Sequence, residues 1–267
     1  MNEDRQLKWL KLILFMSLIT LIFLMGPIVR ILFVGELYQL IGSVVFFLTF
    51  FLIYGVTWAF VIWDSGKYIS ELGIDFDTDT VPHVIIGAVA AVAASGLVIG
   101  LAVIGAGQLR QFDLITTDLI LNQLMITVPS AVFEELAHRG YILTRMEELT
   151  GRRNAILLGS IFFSLGHFSW WATYSVPFHL IILNSLNLFL GGVLLSLSYY
   201  WSGRKLWVPI SFHFVWNMIA YLVFPRFPID SVISPEIFQI EWGVTTVIGF
   251  LFGISILWSI IGSKKKE

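Results

Sequence analysis

The chain has 267 residues, of which 57% are hydrophobic and 13% charged, with a net charge of −2 and no Cys. A soluble domain carries about twice that charged share, so the charged residues are too few to cover a water-facing surface. The apolar content excludes disorder, the weak negative charge excludes a nucleic-acid binder, and the lack of Cys removes disulfides, thiolate metal sites and Cys nucleophiles.

An integral membrane protein remains. A helix needs roughly 20 apolar residues to cross a bilayer, and the candidate spans run over residues 9–29, 37–63, 83–106, 119–145, 154–173, 178–201, 207–225 and 242–262. No alternating polar–apolar pattern suggests barrel strands. The predicted fold is therefore all-α, a polytopic membrane helix bundle of about eight transmembrane helices forming a single domain over residues 1–267. The first apolar run follows charged residues but exceeds the about 7–15 residues of a signal-peptide core, and reads as a retained first helix.

Positive charge orients the bundle. With eight spans and a cytoplasmic N-terminus, the inner segments carry 12 cations: Arg5, Lys8, Lys11, Lys67, Arg145, Arg152, Arg153, Arg204, Lys205, Lys264, Lys265 and Lys266. The outer loops carry three, Arg30, Arg110 and Arg226. This bias predicts a multi-pass protein of the cell membrane with both termini cytoplasmic. The inner loop from Asp64 to Pro82 fits least well, being acidic, although acids count little in this rule. Gly96-x-x-x-Gly100 and Gly249-x-x-x-Gly253 predict close helix packing. Trp170, Trp171, Tyr199, Tyr200 and Trp201 read as an interfacial belt.

Ionisable residues inside spans are the informative ones, because a charge at the bilayer centre costs about 2.5–3.5 kcal/mol on insertion scales. They fall into three groups. Glu134, Glu135, His138 and Arg139 lie in the fourth segment, Phe163 and His167 in the fifth, and His213 and Asn217 in the seventh. Glu135 and Arg139 are four apart and share a helix face. Glu134 is rotated by about 100° from Glu135 and is free for another task. At about 1.5 Å per residue from the cytoplasmic ends, Glu134, His167 and Asn217 lie roughly 16–18 Å deep and His213 roughly 10 Å.

A carboxylate with two imidazoles can activate water, while an imidazole and an amide can donate to a developing oxyanion. That arrangement suits amide hydrolysis. A metal is the competing design, since Glu134, His167 and His213 are adequate Zn²⁺ ligands with water in the open position. The zincin motif His-Glu-x-x-His is absent.

The three groups resemble the CAAX protease and bacteriocin-processing family of intramembrane proteases, also called the Abi family, which includes the type II CAAX prenyl endopeptidase. Its pattern of Glu-Glu-x-x-x-Arg, Phe-x-x-x-His and His-x-x-x-Asn reads here as Glu134-Glu135…Arg139, Phe163…His167 and His213…Asn217, in order. The resemblance implies a motif-bearing core over about 119–225. Glu134 would be the catalytic carboxylate, His167 its partner in activating water, and His213 with Asn217 the oxyanion site. Glu135 and Arg139 would be a structural pair, and Phe163 packing that positions His167. It also implies a peptide or lipidated protein as substrate, membrane lipids as surroundings, and a mechanism either glutamate-dependent or metal-dependent. His138 is outside the pattern and reads as a helix-face residue near a water cavity; His83 and His179 read as interface residues. Two rival functions share the composition. Intramembrane Glu and His also serve proton-coupled transporters, although no inverted repeat is found. A non-enzymatic bacteriocin-immunity or scaffold protein would have no need of the buried set.

Overall fold

The computed structural model describes residues 3–66, 68–167 and 176–263. Helices α1 (Glu3–Leu32) and α2 (Gly35–Ser65) form an antiparallel hairpin, and α3 (Thr80–Ile104) returns through the bundle. Helix α4 (Thr117–Glu135) runs without a break through a π-helical stretch, Leu136–Ile142, into α5 (Leu143–Thr150). Then come α6 (Arg152–Gly166), α7 (Phe178–Trp201), α8 (Trp207–Val223), the short α9 (Pro235–Phe238) and α10 (Val244–Leu257), which ends in a π-helical turn, Trp258–Gly262.

The described chain is all-helical, as the composition predicts. Six of its helical stretches are long and apolar enough to cross a membrane: Glu3–Leu32, Gly35–Ser65, Thr80–Ile104, Thr117–Thr150, Phe178–Trp201 and Val244–Gly262. Trp207–Val223 is apolar but shorter, and α6 has only 15 residues. The far end of the predicted fifth span, including Trp170 and Trp171, lies outside the described residues. The outer faces carry the apolar side chains that lipid would cover, with Leu10, Leu21, Phe51 and Ile85 all exposed.

Two hydrophobic clusters fill the interior. One joins α1 and α2 to the α4–α5 rod through Phe15, Ile53, Phe60, Leu136 and Tyr141. The other joins α3, α7, α8 and α10 through Ala90, Ala94, Val98, Leu194, Phe212, Trp216 and Phe250. Helix α8 serves both, since Ile210 belongs to the first and Val208 and Phe212 to the second. A β-carbon on Gly87 would stand 2.0 Å from Ser211 Oγ and 2.4 Å from the Val208 carbonyl oxygen. Helix α3 therefore seats α8 by backbone-to-backbone approach, the use of small residues expected in lipid.

The two sequence-predicted glycine pairs divide. Gly249 and Gly253 face α3 and α7, where added β-carbons would meet Val98, Ala94 and Leu194. Gly96 and Gly100 have open space there, so that pair makes no helix contact. The belt reading is also corrected at Tyr199 and Tyr200, which are buried. Tyr200 donates its hydroxyl proton to Glu147 at 2.9 Å, so it holds helices together instead of floating at a headgroup boundary.

The acidic 64–82 segment finds its charge partners at one end of the bundle. Asp64 pairs with Lys11 and Arg145, each at 3.0 Å, and accepts the Tyr141 hydroxyl. Asp75 and Asp77 pair with Lys205 at 2.6 and 2.7 Å. The acids are thus neutralised by cations from the basic segments, which explains how an acidic loop sits among them.

Candidate active site

The α4 rod delivers two adjacent carboxylates to different surroundings. Glu135 is wholly buried. Its Oε1 accepts Arg139 Nη1 at 2.9 Å and His213 Nδ1 at 2.9 Å. Glu134, one residue earlier and rotated away, lines a cavity of about 590 Å³. The helix periodicity that separated them in the sequence separates them in space. What periodicity did not anticipate is the π-helical stretch beginning at Leu136. Such wider turns are frequent at functional sites, and this one carries His138 and Arg139.

His167 follows the last residue of α6 and uses its Nδ1–H to donate to the Phe163 carbonyl at 2.8 Å. A carbonyl only accepts, so this bond fixes the tautomer and leaves Nε2 with its lone pair. His213 on α8 donates Nδ1–H to the Glu135 carboxylate, an anionic partner beside which Nε2 can also carry a proton. Asn217, one helical turn further along α8, lines the same space. The Glu134 carboxylate is within electrostatic reach of both His167 and His213.

Phe163 stands at the centre of these groups. Its ring centroid is 4.8 Å from that of His167, 5.1 Å from His138 and 6.3 Å from His213. The Arg139 guanidinium carbon lies 4.3 Å from the same ring, a cation–π contact. Arg139 Nη2 also donates to the Gly192 carbonyl of α7 at 3.3 Å. His138 is buried against Phe162 and Phe163 and lines the cavity, with no hydrogen-bond partner for Nδ1 among the described residues. His83 and His179 do not line the cavity.

The structure thus brings the three motifs onto one cavity, at the seam of the two hydrophobic clusters. It does not gather Glu134, His167 and His213 into a ligand set: among the described residues, no group of three or more His, Asp or Glu side chains could hold a metal ion. One nitrogen of each imidazole is committed to a protein acceptor.

Sequence reasoning missed part of the lining. Asn184 and Asn187 of α7, Tyr221 of α8, and Gln239 and Glu241 from the segment before α10 also face the cavity. Glu241 lies outside the apolar segments, half-buried on the cavity wall, and its removal from water pushes its carboxyl up to about 7. The intramembrane position of two Asn, three apart in an apolar run, was the available signal for the first pair.

The cavity reaches from mid-bundle to the end opposite the one that holds Glu3 and Gly262. Arg30, Tyr38 and Arg226 are exposed at its mouth. Arg110 fixes that end of α8, donating Nε–H to the Leu222 carbonyl at 3.1 Å and Nη2–H to the Phe224 carbonyl at 3.0 Å.

No curated protein matches the chain. Residues 116–219 match the family model described as type II CAAX prenyl endopeptidase Rce1-like. That range takes in Glu134, Glu135, Arg139, Phe163, His167, His213 and Asn217, and excludes Tyr221, Gln239 and Glu241. A multi-pass helical protein with these motifs on one cavity is thus similar, across this core, to the Rce1-like membrane proteases.

Proposed function

We propose that this chain is an intramembrane endopeptidase that cuts a peptide or lipidated protein with a water molecule activated by Glu134 and His167. The observation that carries the reading is the convergence of Glu134, His167, His213 and Asn217, from three helical segments, on one cavity. The Glu134 carboxylate takes a proton from water that His167 Nε2 orients. The hydroxide adds to the peptide carbonyl. His213, with Glu135 as its counter-ion, and the Asn217 amide donate to the oxyanion. Glu134 then returns the proton to the leaving amine as the C–N bond breaks.

The test is cleavage of peptides, with and without a C-terminal prenylcysteine motif, by purified protein in lipid nanodiscs. Wild type cleaves and retains activity after chelation and metal analysis, whereas His167→Ala loses on the order of a hundredfold in turnover. Activity that vanishes with chelator and returns with stoichiometric Zn²⁺ would overturn the metal-free route. Undiminished cleavage by His167→Ala would overturn its role.

The same reading places both termini in the cytoplasm, following the charge bias. The mouth beside Arg226 then faces the opposite side, so peptides enter from the non-cytoplasmic side. Because the protein has no Cys, single-cysteine labelling gives a clean check. Asp230→Cys near the mouth labels with a membrane-impermeant maleimide added to intact cells, and Arg204→Cys labels only after lysis. The reverse pattern would invert the orientation.

A further inference from the structure

The cavity that holds the hydrolytic groups has further walls that the hydrolytic steps do not use. Its walls include Tyr221, Asn187, Gln239 and Glu241. Glu241 has a φ of +67°, left-handed backbone that a Glu rarely adopts. Such strain persists only where surrounding contacts over-determine it, and it clusters at functional sites. Here Asn184 and Asn187 each donate a side-chain N–H to the Glu241 carbonyl at 3.0 Å. The Glu241 N–H donates to Thr246 Oγ1 at 2.9 Å. Gly would adopt this backbone freely, so the conformation alone gives no reason for a Glu. The side chain supplies one: Glu241 lines the cavity, with His213 and Glu134 as the charged groups nearest to its carboxyl.

The amides beside it point the same chemistry at the ligand. Asn187 is wholly buried and spends its NH₂ on two carbonyls, those of Glu241 at 3.0 Å and Gly243 at 3.1 Å. Gln239, 4% exposed, spends its NH₂ on the Pro225 carbonyl at 3.0 Å. These bonds fix each amide's orientation and turn the oxygen the other way. Asn187 Oδ1 and Gln239 Oε1 are both buried without a hydrogen-bond partner among the described residues. Buried acceptors without donors are costly to maintain, and two of them beside a half-buried carboxyl describe a receptor for N–H groups carrying positive charge.

We propose that Glu241, flanked by the Asn187 and Gln239 oxygens, is a specificity-determining residue that receives a Lys or Arg side chain of the peptide. This rests on the endopeptidase reading and adds the class of side chain that the site selects. Arg30 and Arg226 stand exposed at the mouth, where water screens them. An incoming ammonium or guanidinium keeps the Glu241 carboxyl ionised and satisfies the two amide oxygens together.

The experiment is a set of fluorogenic peptides of one sequence in which Lys, norleucine or Glu is moved through each position around the scissile bond. Wild-type protein is expected to cleave the Lys peptide about tenfold more efficiently than the norleucine peptide at one position. Glu241→Gln reduces that ratio to below about threefold, through a raised KM for the Lys peptide. Glu241→Lys shifts the preference to the Glu peptide. Glu241→Gly relieves the backbone strain, so it folds and loses the preference as well. Cleavage without a basic preference at any position, or an equal loss on all peptides in Glu241→Gln, would overturn this assignment alone. Failure of wild type to cleave any peptide would overturn the endopeptidase reading and this inference with it.

Discussion

Glu134→Gln is expected to lower turnover on any cleaved peptide by on the order of 10³-fold, with KM and the unfolding midpoint in detergent close to wild type. The magnitude is that of losing a general base whose proton transfer is required in the transition state. The selectivity follows from where the side chain sits. Glu134 lines the cavity and is partly accessible, and among the described residues the buried ion pairs of α4 are made by Glu135 instead. Gln keeps the shape and polarity and removes only the carboxylate. Single-turnover cleavage and thermal unfolding on the same preparation separate chemistry from folding. Retention of more than about a tenth of wild-type turnover would remove Glu134 from the proton-transfer step, since general-base losses below that size are rare. A proton-coupled carrier predicts a different phenotype, in which the variant alters flux into liposomes and peptide cleavage is never seen.

The bundle and the inner half of the site were legible for one physical reason. Lipid makes buried charge expensive, so Glu134, Glu135, Arg139, His167 and His213 stand out against apolar segments. The 3.6-residue helix repeat then assigned Glu135 to Arg139 and turned Glu134 away, as the 2.9 Å ion pair and the cavity lining show. What the repeat did not reveal is which partner helix lies opposite. The His213–Glu135 bond joins residues 78 apart in the chain, and no spacing within a segment encodes it. Gly87 carries no signal of its own, because a lone glycine in an apolar run looks the same whether it faces lipid or the backbone of α8. Gly96, which met a familiar pattern, faces nothing. The outer half of the cavity was invisible for a related reason. Glu241 belongs to a connection between helices, and only the return of that connection over α7, pinned by Asn184 and Asn187, brings it to the cavity wall.

Arg139→Met is expected to destabilise the protein by about 3–5 kcal/mol, the range for removing one partner of a buried ion pair. Three contacts end at once. Glu135 Oε1 loses its 2.9 Å partner, the Gly192 carbonyl loses a donor, and the Phe163 ring loses the guanidinium on its face. The larger consequence is a carboxylate with no accessible surface left with His213 as its remaining hydrogen-bond partner among the described residues. Neutralising both sides should recover much of the loss, because a well-packed apolar replacement of a buried pair is often close to neutral. The double variant Glu135→Leu with Arg139→Met is therefore expected to unfold nearer to wild type than Arg139→Met alone, a coupling that a double-mutant cycle reads directly. Its activity should stay low, since His213 then lacks the acceptor that fixes its ring at the oxyanion position, while Glu134 and His167 are untouched. Recovery of stability without recovery of turnover would separate the two duties of Glu135, closing the ion pair and aiming His213. Equal recovery of both would mean that His213 needs no such anchor, and an Arg139→Met protein as stable as wild type would mean that the buried pair does not hold α4 in place.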